Sequence, residues 1–285
     1  MTVQLRARPV AVITGAHGGM GAACCRLLGR QHRLVLTDVD AVRLDAFVTA
    51  LTDEGYDVAG SVAGDLCDGA IVSALANAAR TAGPLAALVH TAGLSPSLAA
   101  WDAIVCTNVV ATAQLLDAFD DVPGAGATYV LMASIAGHGL PPDNDRDAVA
   151  DAARQPDLLQ RLSPFLRAMA GSQDDAALAG VAYAVSKRTV IRMAEARASA
   201  LGATGRRIVS ISPGTIYTPM GRAENDRNPA AARVVNATPM GRWGMAMDIA
   251  SAVEFLISDA AGFITGTDLR IDGGVMPALR GGAVF

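Results

Sequence analysis

Cysteine in ligand spacing, clustered positive charge and long apolar runs are all scarce in this chain. Its four cysteines, Cys24, Cys25, Cys67 and Cys106, form no CxxC pair. Neither a zinc site nor a disulfide framework is indicated, no metal is expected, and all four read as small buried hydrophobes. Lys and Arg number 23 against 27 Asp and Glu, a net charge of -4, and the basic residues do not cluster. Phosphate backbones and anionic lipids therefore exert no general pull, which removes nucleic acid and membrane from the expected partners. No run approaches the ~18 apolar residues of a membrane span. The apolar stretch 10–13 that follows the basic start is too short for a signal-peptide core, so a soluble cytoplasmic protein is expected.

Hydrophobic residues, many of them alanine, make up 52% of the 285, and charged residues 18%. That balance belongs to a folded globule with a sizeable core, and one α/β domain over 1–285 suits the length better than two small ones. Short β-rich runs alternate with longer alanine- and leucine-rich segments. Strands are predicted at 10–14, 34–38, 58–62, 85–91, 127–133, 207–212 and 269–271, with intervals long enough for the helical crossovers that parallel strands need. The implied fold is α/β, a Rossmann-type doubly wound parallel sheet of about seven strands with helices on both faces.

Two segments break the rhythm. Residues 139–180 carry Pro141-Pro142, several aspartates and helix-like patches at 158–166 and 174–178. They read either as a solvated surface excursion or as a helical insertion that walls a pocket or alters subunit contacts. Residues 215–238 read as a substrate lid, because 221–237 is polar, alanine-rich and poorly periodic.

Between the first strand and a helix-like run at 22–28 lies Thr14-Gly15-Ala16-His17-Gly18-Gly19-Met20-Gly21. Glycine in such a turn permits positive φ, lets the backbone approach a pyrophosphate and allows strand and helix to pack closely, while the helix N-terminus favours the anion. Asp38 stands at the end of the second strand, where a carboxylate accepts hydrogen bonds from the hydroxyls of an adenosine ribose and repels a 2′-phosphate. Val39 and Asp40 follow it with no adjacent base, so NAD is expected in preference to NADP. The competing use of Asp38 is as a helix N-cap.

Tyr183-Ala184-Val185-Ser186-Lys187 puts a phenol and an ammonium on one helix face. An ordinary tyrosine titrates near ~10, so acid–base work at neutral pH needs ~1.36 kcal/mol of phenolate stabilisation per unit, and a nearby cation supplies it. In isolation the spacing fits a half-buried tyrosine beside an exposed lysine equally well.

Taken with the glycine pattern TGxxxGxG, Ser134 after the fifth strand and Pro213-Gly214 after the sixth, the chain resembles the short-chain dehydrogenase/reductase family from Val10 to Gly274. Further matching motifs are Asp65-Leu66, Thr91-Ala92-Gly93, Thr107-Asn108-Val109, Thr218 and Asp272-Gly273-Gly274. The resemblance implies an NAD-dependent alcohol dehydrogenase or carbonyl reductase. In it, Ser134 hydrogen-bonds the substrate oxygen, Tyr183 exchanges its proton, Lys187 holds ribose and lowers the tyrosine pKa, and Asn108 anchors a water in the proton relay. The dinucleotide would lie on Gly15, His17, Gly18, Gly19, Met20 and Gly21 with Asp38 at its ribose. Asp65 and Leu66 would flank the adenine, and Thr91, Ala92 and Gly93 would shape the ribose site. Ile216 and Thr218, beside Pro213 and Gly214, would meet the carboxamide and phosphates.

The chain departs from the family pattern in two places. His90-Thr91-Ala92-Gly93 replaces the usual NNAG, which leaves the strand cross-links without two asparagines. The interval between Ser134 and Tyr183 is far longer than in most members. An insertion there, together with 88–96 and 182–187, is similar to the bacterial 3α-hydroxysteroid dehydrogenase/carbonyl reductase subgroup. In that subgroup a helical insertion obstructs the tetramer face, so a homodimer is expected over a tetramer. The family's substrate-facing positions are here Ile135, Leu140, Val181, Ile216, Tyr217, Met220 and Leu94. Being mostly apolar, they imply a neutral hydrophobic secondary alcohol or ketone, such as a steroid, terpenoid or aromatic alcohol. Two other readings stay open: a dinucleotide-binding sensor without catalysis, and a sugar epimerase or dehydratase, whose TGxxGxxG pattern Gly18 and Gly21 also satisfy.

Overall fold

Every residue of β1 (Val10–Thr14) is buried, and successive side chains point to opposite faces. Val10 and Val12 join one apolar cluster, Ala11 and Ile13 another, as a strand covered on both sides requires. In the computed structural model, which describes residues 8–140, 149–172, 174–227 and 229–281, this strand sits inside a seven-stranded sheet. Its partners are β2 (Arg33–Asp38), β3 (Val58–Ala63), β4 (Leu85–His90), β5 (Thr128–Met132), β6 (Arg207–Pro213) and, after a separate short pair β7 (Ile216–Tyr217) and β8 (Gly244–Met245), β9 (Thr267–Ile271). The order is β3-β2-β1-β4-β5-β6-β9 and every pairing is parallel. All seven predicted strands are present, because each was marked by a local apolar run between breakers.

One face carries α1 (Gly19–Leu28) and α2 (Ala41–Asp53), with Cys24, Cys25, Leu28, Leu44 and Leu51 in its core. The other carries α3 (Gly69–Ala82) and a continuous helical run, α4 (Trp101–Val105), a π-helical turn at Cys106–Val110 and α5 (Ala111–Phe119). That run, Trp101–Phe119, is long and apolar enough to cross a membrane by length and composition, but 56% of its apolar window is buried inside the molecule. Its apolarity is thus used in packing. Cys24 and Cys25 are buried as expected, whereas Cys67 and Cys106 are only half-buried. They sit where the turn after β3 meets the π-helical turn, at the edge of the core.

The insertion is not a solvated excursion. It contains α6 (Val149–Ala152) and α7 (Leu158–Ala170); residues 141–148, with Pro141-Pro142, and residue 173 lie outside the described residues. Leu158, Leu162 and Leu166, four apart and therefore on one face, are buried in the same cluster as Leu178 and Ala182. The patch at 174–178 is not a separate helix either. Asp174 accepts a hydrogen bond from Ala177 N at 3.0 Å and caps α8 (Asp175–Gly202), a single helix of 28 residues that includes Tyr183 and Lys187. Leu166→Ala is expected to destabilise the fold by ~2–5 kcal/mol, as for a fully buried leucine; a urea midpoint unmoved by the change would return the insertion to the surface.

The segment 215–238, expected as a lid, is also more regular than its polarity predicts. Apart from residue 228, outside the described residues, it forms α9 (Pro219–Arg227) and α10 (Pro229–Asn236). A proline at the first position of each fits helix initiation, where the missing N–H has no partner to lose. Beyond it, α11 (Ala246–Ile257) completes the first face with Ile249 and Val253, and α12 (Val275–Arg280) ends the described chain.

Candidate active site

The strand order reverses between β1 and β4, which opens a crevice at the carboxyl ends of the sheet. A cleft of about 510 Å³ lies there, lined by Gly15, His17, Gly18, Gly19, Met20, Gly21, Asp38, Asp65, Leu66, Thr91, Ala92, Gly93 and Thr218. The structure thus brings together most of the predicted dinucleotide residues. Gly15 has φ +62, and a Cβ there would lie 2.9 Å from Ala92 N, so only glycine lets the first turn close against the loop after β4. Gly93 does its work at the inner end. A Cβ on it would come within 3.0 Å of Asn108 Oδ1 and 3.2 Å of Lys187 Nζ, so glycine is what lets the cleft wall lie against both side chains, although neither Lys187 nor Tyr183 itself lines the cleft.

Asp38 is not the cap of α2. That role falls to Asp40, whose side chain accepts from Arg43 N at 3.0 Å. Asp38 remains buried in the cleft wall, with Oδ1 accepting from Val39 N at 2.8 Å and Oδ2 lying 3.3 Å from His17 N and 2.7 Å from His17 Nδ1. These three contacts still leave one of the carboxylate's four lone pairs for a ribose hydroxyl. Glycines at the phosphate turn, a held carboxylate at the next strand end and an ammonium beyond Gly93 together fit a nicotinamide dinucleotide.

Behind this wall the missing asparagines are replaced rather than lost. His90, fully buried, reaches Thr14 Oγ1 with Nδ1 at 2.7 Å and Thr112 Oγ1 with Nε2 at 2.9 Å. Thr112 spends its only hydroxyl hydrogen on Asn108 O at 2.8 Å. The network therefore assigns the Nε2–H tautomer, with Thr14 donating to Nδ1 and accepting from Ala92 N at 3.2 Å. Thr91 Oγ1 adds a bond to Thr14 O at 2.6 Å. Burial, with help from the Lys187 charge, pulls the His90 pKa down to about 3, so the ring is neutral.

Asn108 continues the chain toward α8. Its Nδ2 donates to Leu94 O and Ser186 Oγ, both at 3.0 Å, and its Oδ1 accepts from Leu94 N at 2.9 Å. Ser186 in turn donates to Tyr183 O at 2.8 Å. Both amide hydrogens are committed to protein partners, so the side chain acts as a tie between the loop after β4 and the tyrosine's helix. Any relay water implied by the resemblance would have to donate to the second lone pair of Oδ1, since the N–H hydrogens are taken. The π-helical turn holds Asn108 in this position; a local wide turn of this kind leaves no mark in residue spacing.

Ser134 follows β5, accepts from Ala136 N at 3.2 Å and stands near enough to the Tyr183 hydroxyl to pull the phenol pKa down. Lys187 is buried, its Nζ donating to Met132 O at 2.8 Å and standing 5.8 Å from the centre of the Tyr183 ring. Burial lowers the Lys187 pKa to about 8. The expected depression of the tyrosine pKa is absent. Burial raises it, the Ser134 hydrogen bond opposes that rise, and the negative charge of Glu224 on α9 adds to it. With Lys187 bound to a carbonyl and set beside the ring, burial of the phenol dominates.

Some predicted residues stand elsewhere. Gly214 and Ile216 border a separate pocket of about 190 Å³ between the loop after β6 and the end of β9, and Pro213 closes β6 against Ile271. Leu94 and Met220, expected at the substrate, line the dinucleotide cleft. Ile135 and Val181 flank Ser134 and Tyr183 in the chain and are half-buried. Tyr217 is exposed, edge-on to Trp243 at 5.6 Å and under Arg222. Sequence reasoning missed Arg43, Leu98, Thr107 and Pro219 in the cleft wall. Arg43 follows from the Asp40 cap, which turns that arginine back toward the strand end. Among the described residues no group of three His, Cys, Asp or Glu side chains is placed to hold a metal.

Comparison with known proteins gives two family matches: short chain dehydrogenase over residues 9–142 and enoyl-(acyl carrier protein) reductase over 167–276. The gap between them falls inside the insertion. A 2-(S)-hydroxypropyl-CoM dehydrogenase of Xanthobacter autotrophicus is 30% identical, covering 93% of this chain and 96% of its own. A D-threitol dehydrogenase of Mycolicibacterium smegmatis is also 30% identical, with coverages of 93% and 92%. A 3-alpha-hydroxysteroid dehydrogenase/carbonyl reductase of Comamonas testosteroni is 28% identical, with coverages of 95% and 98%. A crystal structure of a short chain dehydrogenase from Burkholderia cenocepacia in complex with NADP superposes with a TM-score of 0.74 at 23% identity, covering 95% of this chain and all of that one. The shared fold and relatives matched almost from end to end lead to one assignment: the chain belongs to the short-chain dehydrogenase/reductase family, nicotinamide-dependent oxidoreductases of alcohols and ketones.

Proposed function

We propose that the protein interconverts a neutral, hydrophobic secondary alcohol and its ketone with NAD, using Tyr183 as acid and base. The observation that carries this reading is the grouping of Ser134, Tyr183 and Lys187, with Nζ 5.8 Å from the Tyr183 ring, behind Gly93 in the wall of a cleft that also contains Asp38. When bound, the dinucleotide supplies or accepts the hydride. Gly15 to Gly21 hold its diphosphate, Asp38 the adenosine ribose, Asp65 and Leu66 the adenine, and Lys187 the second ribose. In the reducing direction Tyr183 Oη donates its proton to the substrate oxygen as negative charge develops there, and Ser134 Oγ turns its one hydroxyl hydrogen from the phenol to the same atom. Burial keeps the phenol protonated and suits this direction. In oxidation the phenolate must form, and the Lys187 ammonium stabilises it.

NAD is proposed because a 2′-phosphate would lie against the held Asp38 carboxylate. A like-charge contact of this kind costs about 2 kcal/mol or more, so the NADP Kd is expected to be at least ~30-fold weaker. An equal or tighter Kd for NADP by calorimetry rejects the assignment.

For substrate, the apolar, half-buried Ile135 and Val181 beside Ser134 and Tyr183 support a hydrophobic alcohol, in line with the activity printed for the Comamonas relative. One observation favours a second reading. Glu224 on the lid helix lies close enough to act on Tyr183, and a carboxylate there suits a polyol, the substrate class of the threitol dehydrogenase. NADH formation across hydroxysteroids, terpene alcohols, aromatic alcohols, short polyols and hydroxy acids separates the two. The higher kcat/KM is expected on an apolar alcohol, and a polyol or charged hydroxy acid in first place sinks the proposal. The dimer implied by the subgroup resemblance belongs to the same proposal, with α7 packed along α8.

A further inference from the structure

His138 makes a set of buried contacts that the reaction described above does not use. It ends the single 3₁₀ turn Ile135–His138 that Ser134 begins. Ser134 Oγ accepts from Ala136 N at the start of that turn, and Ser134 O accepts from Gly137 N at 3.0 Å. At the other end His138 Nε2 lies 2.8 Å from Asp268 Oδ2 on β9 and 3.2 Å from Ser212 Oγ on β6. A carboxylate only accepts, so Nε2 carries a hydrogen, donated to Asp268 and shared with Ser212. Asp268 is held in turn by Ser210, whose Oγ donates to Oδ1 at 2.6 Å. Ser210 and Ser212 are wholly buried, and the side chains of Asp268 and His138 are only 7% and 19% exposed. Bonds to a carboxylate shielded in this way are stronger than their surface counterparts.

The opposite side of the turn rests on the helix of Tyr183 and Lys187. A Cβ on Gly137 would lie 2.7 Å from Arg188 N and 2.9 Å from Lys187 C, too close for any side chain, so turn and α8 meet backbone to backbone. Arg280 of α12 adds a bond to His138 O at 3.2 Å. The turn is therefore wedged between α8 on one side and β6 and β9 on the other.

We propose that His138 and Asp268 are positioning residues for the reaction: the bond between them presses the turn against α8 and so fixes Ser134 Oγ relative to the Tyr183 hydroxyl. Neither side chain lines the dinucleotide cleft, and both act through Ser134. The inference rests on the reading of Ser134 and Tyr183 as the pair at the substrate oxygen. A serine displaced by about 1 Å meets the developing negative charge poorly while ground-state binding changes little, so the loss falls on kcat.

Steady-state kinetics on the best alcohol of the panel, calorimetry of NAD, and amide hydrogen exchange over 134–139 test this together. His138→Ala is expected to lower kcat ~10–100-fold with KM and the NAD Kd within about twofold, and to speed exchange in the turn. His138→Gln, whose amide nitrogen reaches the place of Nε2 and donates to Asp268, is expected to recover most of both losses. In a Ser134→Ala background, already slow, His138→Ala is expected to cost no further activity, since the group it positions is gone. Losses that multiply in the double variant, a Gln variant as slow as the Ala one, or exchange in the turn unchanged by His138→Ala overturn the positioning role. Full turnover by Ser134→Ala alone counts instead against the serine's place in the chemistry, and the exchange measurement still decides whether His138 holds the turn.

Discussion

Tyr183→Phe is expected to lower kcat by ~10²–10⁴-fold while leaving NAD affinity nearly unchanged, because it deletes the one proton donor placed at the substrate oxygen and nothing else of comparable size. The tyrosine's other supports are independent of its hydroxyl. Its carbonyl still accepts from Ser186 Oγ, and Lys187 still donates to Met132 O. The ring fills the same space beside the ammonium. The loss falls on chemistry, so kcat and kcat/KM drop together while calorimetric binding of NAD persists. NADH absorbance on the best alcohol of the panel measures it. A variant that keeps full turnover removes Tyr183 from the chemistry and leaves the YxxxK pattern as a structural feature of α8.

The second large effect concerns acid stability and His90. Its pKa is about 3 in the folded protein against an ordinary 6.5. The unfolded chain therefore binds a proton below pH 6.5 that the folded one refuses. Stability falls as pH drops from about 6.5 toward 3, by roughly 4 kcal/mol across that window at ~1.36 kcal/mol per unit, and His90 contributes no slope above it. His90→Asn is expected to flatten this dependence in urea midpoints measured from pH 7 to pH 4. The substitution restores the asparagine of the family pattern but bonds at most one of Thr14 and Thr112 as the imidazole does. A cost of about 1–3 kcal/mol at pH 7 should accompany the flatter profile. An unchanged slope would assign the acid sensitivity to other groups.

The same residue shows where sequence reasoning stops. Replacing NNAG by His90-Thr91-Ala92-Gly93 reads as a loss of cross-links when only neighbours are visible. Thr112, which completes the replacement, lies 22 residues away on α5, and no local rule pairs them. Arg43 was hidden by the same limit at shorter range, since its direction depends on Asp40 capping α2. The tyrosine pKa was misjudged for an energetic reason. Spacing puts a cation beside the phenol, but burial of the phenol, helped by the Glu224 charge, decides the net direction.

By itself the sequence determined the seven strands, the glycine turn, the acidic strand end and the shared face of Tyr183 and Lys187. These are short-range properties: an apolar run between breakers, a backbone that only glycine can trace, a carboxylate at a strand end, and a four-residue step on a helix. Tertiary structure alone decided that Leu158, Leu162 and Leu166 of the insertion join the core and that Asn108 ties a loop to the helix of Tyr183 and Lys187. Each depends on where distant segments of chain come to rest, and that is set by the packing of the whole sheet and its helices rather than by any residue's neighbours.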